Sequence, residues 1–385
     1  MRTLHRLVND TARHVPFYRA HWAAAGIDVS RLSLPHDFAR LPVVRKSDLL
    51  AAGVQARLDD RRDRADLVSD TTSGSSGQPF EVLVDPSAMR RRRLRFLRAL
   101  VGAGYRPGER VMLVASRHAT SLGARLLGWR YASLKQGEEA LAAEYLRACP
   151  AVLYGPLSSL LALADRLMSG HPDHHRPRLV VTTAEELTAA QRRTLVRAFG
   201  ARIADFYGMT EVGLVAWRSG EQGPYRLPAT NLFLEFLPCA ADDGLERLVV
   251  TDLSGGAMPL VRYETGDLVH RDRSLLGAPI ARIAGREIDC LRLPGGRRVS
   301  PYRITTSLEL LEGIEQYEVV QNRDLSVEVS IRTIAADTGP IFDRARRAVN
   351  HVCDGALPVE VKAMAAPDGT ARKRRPVRCL AGESA

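Results

Sequence analysis

The sequence has few cysteines and no paired cysteine motif. Five cysteines, an odd number, are scattered along 385 residues, and none forms a CxxC pair. This pattern argues against a disulfide framework and is typical of a reducing compartment, so we expect a cytoplasmic protein with small buried thiols. The cysteines are Cys149, Cys239, Cys290, Cys353 and Cys379.

Long apolar runs are missing as well. No stretch of about 18 consecutive apolar residues occurs, so we expect no membrane span. The N-terminal "MRTLHRLVND" is charged and precedes no long apolar run, which argues against a secretory signal. Hydrophobic residues make up 45% of the chain, as in ordinary globular proteins.

Familiar zinc-binding patterns are also absent. The nearest histidine cluster, "HPDHH", contains His171, His174 and His175 at a spacing that fits no common zinc site. We interpret this cluster as a solvated loop.

Positive charge, by contrast, is abundant: 55 Lys and Arg against 44 Asp and Glu give a formal net charge of +11 at pH 7. The excess is concentrated in "MRRRRLRFLR" (89–98) and "ARKRRPVR" (371–378), which we interpret as a solvated helix face and a basic tail. Such charge attracts nucleotide phosphates or an acidic partner. Nucleic-acid binding would need interleaved aromatic residues or a known module, so we expect no nucleic-acid partner.

Short apolar runs alternate with helical segments through the middle of the chain. The helix after residue 187 is well marked, because Thr188 and Gln191 have capping-box spacing and Gly200 ends the apolar pattern. The alternation predicts βαβ units and a mostly parallel sheet. We therefore expect an α/β fold, with a large domain over 1–284 and a small α+β domain over 285–385. The expected strands are "VMLVA" (111–115), "AVLYG" (151–155), "LVVTT" (179–183) and "RIADFY" (202–207).

The segment "SDTTSGSSGQPF" (69–80) is too small and polar to fill a core. Small residues let backbone N–H groups approach an anion, and hydroxyls add donors, so a phosphate-binding loop is one interpretation. It is not a Walker A loop, because no Gly-Lys-Ser/Thr follows. A flexible linker is the alternative.

A second motif, "FYGMTE" (206–211), follows a predicted strand, where α/β folds place ligand chemistry. Tyr207 can stack on a base, Thr210 can bond a phosphate, and Glu211 can hold a Mg²⁺ ion. The alternative is an ordinary turn at the end of a strand.

Two later motifs carry an acid and a cation. "RYETGDL" places Asp267 in a turn, where its carboxylate can accept both ribose hydroxyls, and "GRE" places Arg286 where it can meet a phosphate or the ribose. Each motif alone is also compatible with a plain turn. Their shared order along the chain makes a nucleotide site the better interpretation.

Together, "TTSGSSGQP", "YGMTE", "ETGDL" and "GREIDCLRLPGGRRVSP" resemble the adenylate-forming superfamily of acyl-CoA synthetases, adenylation domains and luciferases. "HVPFYRAHWAAAGID" and "LPVVRKSDLL" are similar to the opening of its phenylacetate–CoA ligase-like branch, which includes CapK-type relatives. The resemblance implies ATP-dependent activation of a carboxylic acid to an acyl-adenylate, followed by transfer to the thiol of coenzyme A or a carrier protein.

The resemblance also implies a role for each matching residue. Tyr207 would cover the adenine beside Ala184 and Glu185 of "TTAEEL". Gly208 would lie at the nucleotide or the acid, Asp267 would hold the ribose, and Arg286 would lie near the phosphate or ribose. Thr210, Glu211 with Mg²⁺, and Lys373 would be catalytic, and the acid would lie near Tyr154, Gly155 and Pro156. The residues expected to bind the β- and γ-phosphates are Thr72, Ser73, Gly74, Ser75, Ser76 and Gly77.

The sequence departs from the family pattern in three places. At the expected hinge of a mobile C-terminal domain, Ile288 replaces the usual acid and Asp289 follows it. Lys373 lacks the preceding glycine, so a plain basic tail is its alternative. "WRSGEQGPYRL" (217–227) has neither Cys nor His, so we expect no structural zinc.

Several choices stay open at this level. The acceptor can be coenzyme A, met by Arg90–Arg93 or the basic tail, a carrier-protein thiol, or an amine. A nucleotide-binding homologue without catalysis is the alternative from another functional class. The family favours an aryl acid, and a homodimer is a reasonable expectation.

Overall fold

The structure is a computed structural model of the chain. It describes residues 2–72, 80–115, 128–133, 136–220, 223–227, 231–239, 244–333, 337–364 and 375–381.

Local sequence sets the ends of the helices. The Gln191 N–H donates to Thr188 Oγ1 at 3.2 Å and the Thr188 N–H donates to Gln191 Oε1 at 3.0 Å, which is the capping box expected from the sequence. Gly200, with φ of +59°, ends this helix in the left-handed conformation. The helices of the described residues are α1 (Arg2–His14), α2 (Pro16–Ala24), α3 (Lys46–Arg57), α4 (Pro86–Ala103), α5 (Gly137–Ala148), α6 (Leu157–Gly170), α7 (Ala189–Phe199), α8 (Pro301–Glu309) and α9 (Gly339–Val352).

The strands fall where the apolar runs predict them, and two of them, at 111–115 and 179–183, have the expected bounds. In chain order, the strands are β1 (Val68–Thr72), β2 (Phe80–Val84), β3 (Val111–Ala115), β4 (Trp129–Ser133), β5 (Val152–Pro156), β6 (Leu179–Thr183), β7 (Arg202–Met209), β8 (Gly213–Ser219), β9 (Leu232–Pro238), β10 (Leu245–Asp252), β11 (Tyr263–Arg271), β12 (Ile280–Arg286), β13 (Leu291–Arg292), β14 (Arg298–Val299), β15 (Ile314–Gln321), β16 (Val327–Thr333), β17 (Val359–Ala363) and β18 (Val377–Cys379).

The main sheet has six strands in the order β4-β3-β5-β6-β7-β8. Neighbours from β4 to β7 are parallel, and β8 is antiparallel to β7. Helix α4 packs on one face through Leu100, and α5, α6 and α7 cover the other, with Leu160 and Leu195 in its core. Both faces are covered, so the strands can be apolar throughout. This architecture confirms the predicted α/β fold with a largely parallel sheet.

A second sheet is antiparallel, in the order β12-β11-β10-β9. It shares a core with α1–α3 in which Trp22, Leu49 and Leu248 are buried. The Val261 N–H donates to the Tyr18 hydroxyl at 2.9 Å, so the N-terminal helices also fix the start of β11.

The last part of the chain forms a mixed sheet, β17-β16-β15-β18, against α8 and α9. Val319 and Val349 belong to its own buried core. Glu315 of β15 pairs with Arg197 of α7 at 2.9 Å, which links this sheet to the larger part of the molecule. A division into two domains at residue 285 stays a prediction.

The histidine cluster differs from the solvated loop expected from the sequence. The ring of His174 is buried, with its centre 6.0 Å from the rings of Tyr145 and Phe199. Its Nδ1 lies 2.9 Å from the carbonyl oxygen of His171. The turn after α6 folds this ring into the core, which the sequence spacing did not show.

Two further expectations from the sequence were buried cysteine thiols and no membrane span. Cys290, Cys353 and Cys379 are buried, and burial raises the pKa of Cys353 to about 11. Among the described helices, none combines the length and the apolar character needed to cross a membrane.

Candidate active site

A large cleft opens at the carboxyl ends of β5, β6 and β7, where open α/β sheets commonly bind ligands. Its volume is about 2580 Å³, and residues of β11, β12 and the C-terminal sheet complete its walls. Predicted site residues from distant parts of the sequence therefore share one cavity. Those that line it are Tyr154, Ala184, Glu185, Tyr207, Gly208, Thr210, Glu211, Asp267 and Arg286.

Four of these residues define what we call the polar end of the cleft: Tyr207, Glu211, Asp267 and Arg286. The Tyr207 hydroxyl donates to Asp267 Oδ2 at 2.5 Å, and Arg286 Nε lies 3.6 Å from Asp267 Oδ1. Asp267 and Arg286 are direct partners in the register of β11 and β12. Burial and the neighbouring Asp267 carboxylate raise the pKa of Tyr207, so this hydroxyl stays a donor.

The backbone around Asp267 is shaped by a local turn. Its N–H donates to Thr265 Oγ1 at 3.1 Å, and the Thr265 hydroxyl donates to the Leu248 carbonyl on β10 at 3.1 Å. Gly266 between them has φ of +77°, a conformation that glycine adopts at little cost. The Thr-Gly-Asp order thus aims the carboxylate into the cleft.

Glu211 is a nearly buried carboxylate, 8% exposed, at the same end. The Tyr263 hydroxyl donates to its Oε1 at 3.2 Å, and burial with the nearby Glu211 raises the pKa of Tyr263. Lys46 interacts electrostatically with this carboxylate. Burial lowers the pKa of Lys46, the charge of Glu211 raises it, and the charge of Arg286 lowers it further. A carboxylate beside a cavity large enough for phosphates can hold Mg²⁺.

Arginines of α4 hold the turn that carries Thr210 and Glu211 by donating hydrogen bonds to its carbonyl groups. Arg92 Nη1 donates to the Thr210 carbonyl at 3.0 Å, and its Nη2 donates to that of Glu211. Arg95, 2% exposed, donates to the Val212 carbonyl. The interpretation of this basic run as a solvated face is therefore wrong for these two arginines, because the turn leaves carbonyls that need donors.

Ala184 and Glu185 follow β6 at the rim of the cleft. Ala184 has φ of +73°, a left-handed conformation that costs a non-glycine residue about 1–2 kcal/mol. Glu185 Oε1 accepts from the Ser158 hydroxyl at 2.7 Å, in the first turn of α6. Strain of this kind is commonly retained at ligand sites.

A second region of the cleft, which we call the aromatic end, is lined by Phe96, Trp129, Tyr131, Tyr154 and Phe206. The Tyr154 ring packs edge-to-face on Phe96 at 5.2 Å and on Phe206 at 6.2 Å between ring centres. Burial raises the pKa of Tyr154. Edge-to-face rings make an apolar wall of defined shape, which suits the body of an organic acid.

Gly155 and Pro156 are placed differently from Tyr154. A Cβ on Gly155 would lie 2.8 Å from the Val114 Cβ, so the glycine allows β5 to pack closely on its neighbour. Pro156 ends β5 immediately before α6. Neither lines the cleft as Tyr154 does, and their role toward the acid stays a prediction.

Gly208 also has a packing role. A Cβ there would lie 2.9 Å from the Gly213 carbonyl oxygen and 3.1 Å from the Leu214 Cα. The bare backbone lets β7 turn tightly into β8, which keeps Thr210 and Glu211 at the cleft.

Several predicted residues lie outside the described part of the chain: Ser73, Gly74, Ser75, Ser76, Gly77 and Lys373. Thr72 is the last residue of β1 and pairs with Phe80, the first residue of β2. The two described ends of the predicted phosphate segment therefore lie side by side.

Ion pairs tie the walls of the cleft together. Arg282 of β12 pairs with Glu186, just beyond β6, at 2.7 Å and with Glu309 of α8 at 3.2 Å. Burial raises the pKa of Glu186, while Arg282 lowers it. One arginine thus joins three separate elements.

The segment after Arg286 contains the predicted hinge position. Ile288 is 57% exposed, whereas Asp289 is buried and accepts from Arg375 at 2.8 Å. This pair joins the start of the C-terminal part to the strand region near β18. Movement about Ile288 stays a prediction.

One group in the described ranges has the geometry of a metal site: His14, Asp59 and Asp60. Arg61 pairs with Asp59 at 2.6 Å, and His14 and Arg19 lie 3.0 and 3.8 Å from Asp60. These neighbours account for the carboxylates, so we assign the group a structural role. The absence of zinc stays a prediction.

Three contributors to the polar end were not recognised from the sequence: Lys46, Arg92 and Tyr263. Tyr263 lies within the quoted "RYETGDL", and its alternation with Asp267 along β11 could have indicated a shared face. Arg92 and Lys46 reach the site from helices more than 100 residues away in the sequence, and no local signal marks them.

Comparison with curated proteins gives relatives that are phenylacetate-coenzyme A ligases. A phenylacetate-coenzyme A ligase from Pseudomonas putida is 28% identical over 353 residues, which cover 83% of this chain and 77% of that protein. A phenylacetate-coenzyme A ligase from Thermus thermophilus is 27% identical over 363 residues, with coverage of 85% and 80%. No family model matches the chain.

The fold also has solved counterparts. The chain superposes on 2-hydroxyisobutyryl-CoA ligase in the postadenylation state, in complex with R3-HIB-AMP, with a TM-score of 0.77 and 21% identity. The match covers 98% of this chain and 88% of that chain. At this identity the likeness shows a shared fold.

Proposed function

The chain belongs to the adenylate-forming superfamily, in its phenylacetate–coenzyme A ligase-like branch, and on this premise we propose that it activates a carboxylic acid with ATP and transfers the acyl group to coenzyme A. The observation that carries the proposal is the contact of Tyr207, Asp267 and Arg286 beside Glu211. Separate motifs supply these groups, and together they match the base, sugar and phosphates of one nucleotide.

In the first step, a carboxylate oxygen attacks the α-phosphorus of ATP. The bond from that phosphorus to the bridging oxygen of the β-phosphate breaks, and its electron pair leaves with pyrophosphate. Both reactants are anions, so the site must neutralise charge as they approach. Arg286 supplies a cation at the polar end, and Thr210 supplies a hydroxyl donor.

Glu211 fits a magnesium ion, because Mg²⁺ takes oxygen ligands and commonly binds one carboxylate together with substrate phosphates. The ion would offset phosphate charge in the first step. The Tyr263 hydroxyl, at 3.2 Å from Oε1, orients the carboxylate for this task.

Asp267 can hold the ribose without losing its present partners. An ionised carboxylate has about four acceptor positions, so two ribose hydroxyls can donate to it while Tyr207 also donates. The ring of Tyr207 would then lie against the adenine, next to Ala184 and Glu185.

The acid would lie in the aromatic end, where apolar rings favour an acid with an apolar, ring-containing body. Its carboxylate would point toward Thr210 and toward Arg286 of the polar end. We therefore favour an aryl acid.

In the second step, the sulfur of the thiol attacks the acyl carbon. The carbon–oxygen bond to AMP breaks, AMP leaves with the electron pair, and the thiol proton passes to solvent. Further parts of the proposal are catalysis by Lys373, closure of residues 285–385, a homodimer and a cytoplasmic location. A carrier-protein thiol or an amine is the alternative acceptor to coenzyme A.

The test is ATP–pyrophosphate exchange across aryl, amino and short aliphatic acids, followed by AMP release with coenzyme A, a carrier protein or an amine. Acid-dependent exchange, strongest with an aryl acid, is expected. Tight AMP binding without exchange for any acid would instead indicate a nucleotide-binding homologue that does not catalyse.

A further inference from the structure

Lys46, the first residue of α3, is fixed against the strand that carries Asp267. The Val44 N–H donates to the Arg262 carbonyl at 2.9 Å, and the Glu264 N–H donates to the Val44 carbonyl at 2.8 Å. Arg45 then pairs with the buried Glu264 at 2.9 Å. The backbone before Lys46 therefore has a defined position relative to β11.

The side chain of Lys46 lines the polar end. It is half-buried in the cleft wall together with Glu211, Asp267 and Arg286. Its ammonium lies 5.5 Å from the centre of the Phe80 ring, and its charge interacts with Glu211 and Arg286. The ammonium thus lies near the start of β2, in the same cleft wall as the carboxylate that fits magnesium.

Two arginines near this end bind main-chain or carboxylate groups of the protein. Arg92 donates to the carbonyls of Thr210 and Glu211, and Arg45 pairs with Glu264. Arg286 lies against Asp267, on the ribose side of the proposed nucleotide. Lys46 interacts with Glu211, the carboxylate that fits magnesium, and a magnesium ion there would bring the phosphates of ATP to this side of the cleft.

The choice of lysine here is informative. The chain has 55 Lys and Arg, of which only Lys46, Lys135, Lys362 and Lys373 are lysines. Arginine suits planar, bidentate contacts, whereas lysine offers a compact charge on a flexible stem that can follow a moving phosphate. A group that must hold pyrophosphate and then release it needs the second property.

We propose that Lys46 is a further catalytic residue, whose ammonium contacts the β- and γ-phosphates of ATP and neutralises the charge of pyrophosphate as it departs. This inference rests on the proposed function, because it assigns a role in the first of the two steps. It predicts that Lys46 acts on ATP and pyrophosphate, and has no task in thioester formation.

The main experiment compares the two half-reactions in Lys46→Met. We expect ATP–pyrophosphate exchange to fall roughly 10- to 100-fold, as when one charge-stabilising group is removed from an active site. Thioester formation from supplied acyl-adenylate should stay within about twofold of the wild type, since pyrophosphate has already left. Equal loss in both half-reactions, or no loss in either, would overturn the proposal.

Arg98→Met is the matched control. Arg98 is exposed on α4 and is not among the residues that line the cleft, so its loss removes the same charge from outside the site. We expect its exchange rate to stay within about twofold of the wild type, because phosphate stabilisation depends on position. An equal loss in both variants would show a general charge effect and contradict the proposal.

A second measurement uses the wild-type protein and needs no folded variant. Lysine acylation, followed by peptide mass spectrometry, can be read separately at Lys46 and Lys362 because the chain has so few lysines. ATP and pyrophosphate should protect Lys46 several-fold and AMP should not, while Lys362 serves as the internal reference. Equal protection by AMP would assign Lys46 to another part of the nucleotide. This result does not depend on turnover, so absence of exchange with every acid would count against the proposed function alone.

Discussion

At the polar end of the cleft, a hydrogen bond joins Tyr207 of β7 to Asp267 of β11 in the second sheet, and an ion pair joins Asp267 to Arg286 on the neighbouring strand β12. At the aromatic end, Tyr154 is held by the edges of Phe96 and Phe206. Directional bonds fix single atoms, whereas ring packing fixes a shape and tolerates small changes in it. In the proposed function, this difference suits the polar end to one constant ligand and the aromatic end to a ligand that can vary.

The two ends share one support. Helix α4 carries Arg92 and Arg95, which bind the turn of the polar end, and Phe96, which lines the aromatic end. A change in this helix reaches both ends, while a change in β11 reaches the polar end alone.

The largest effect should come from the polar end. In Asp267→Ala, loss of the carboxylate removes the ribose acceptor and the partner of Tyr207 and Arg286. We expect acid-dependent pyrophosphate exchange to fall by about 100-fold. The control is Asp272→Ala, an acid that is not among the residues lining the cleft and whose carboxylate accepts from Ser274, and it should retain wild-type exchange. Comparable rates in the two variants would remove Asp267 from the nucleotide site.

The shared support should show its effect in stability. Arg95→Ala leaves the Val212 carbonyl without its donor and opens space beneath the turn. We expect the free energy of unfolding to fall by about 2 kcal/mol, measured by urea denaturation. Arg98→Ala, on the exposed side of the same helix, should change it by less than about 0.5 kcal/mol. Equal values would mean that α4 holds the turn by packing alone.

The smallest effect should come from the aromatic end, and it should be selective. Tyr154→Ala removes two edge-to-face contacts, and we expect the KM for the acid to rise about fivefold with the KM for ATP unchanged. Tyr154→Phe keeps the ring and should resemble the wild type. If Tyr154→Ala changed the two KM values equally, the separation of the two ends would fail.

Much of the fold was predictable because short stretches of the sequence carry the signals for individual strands and helices. β3 and β6 are continuous apolar runs, and α7 carries its own capping box. The contact between Tyr207 and Asp267 could be expected only because both motifs resembled one family. The inward turn of Arg92 and Arg95 could not be expected, since their partners lie almost 120 residues away and a basic run has the same letters on either face.

The close contacts of two glycines have a consequence for altering the acid preference of this protein. A methyl group at Gly155 would strike Val114, and one at Gly208 would strike the Gly213 carbonyl. In a randomised library that includes these two positions, most variants would misfold. Diversity is better placed at Trp129 and Tyr131, where new side chains reshape the aromatic end and leave the strands in register.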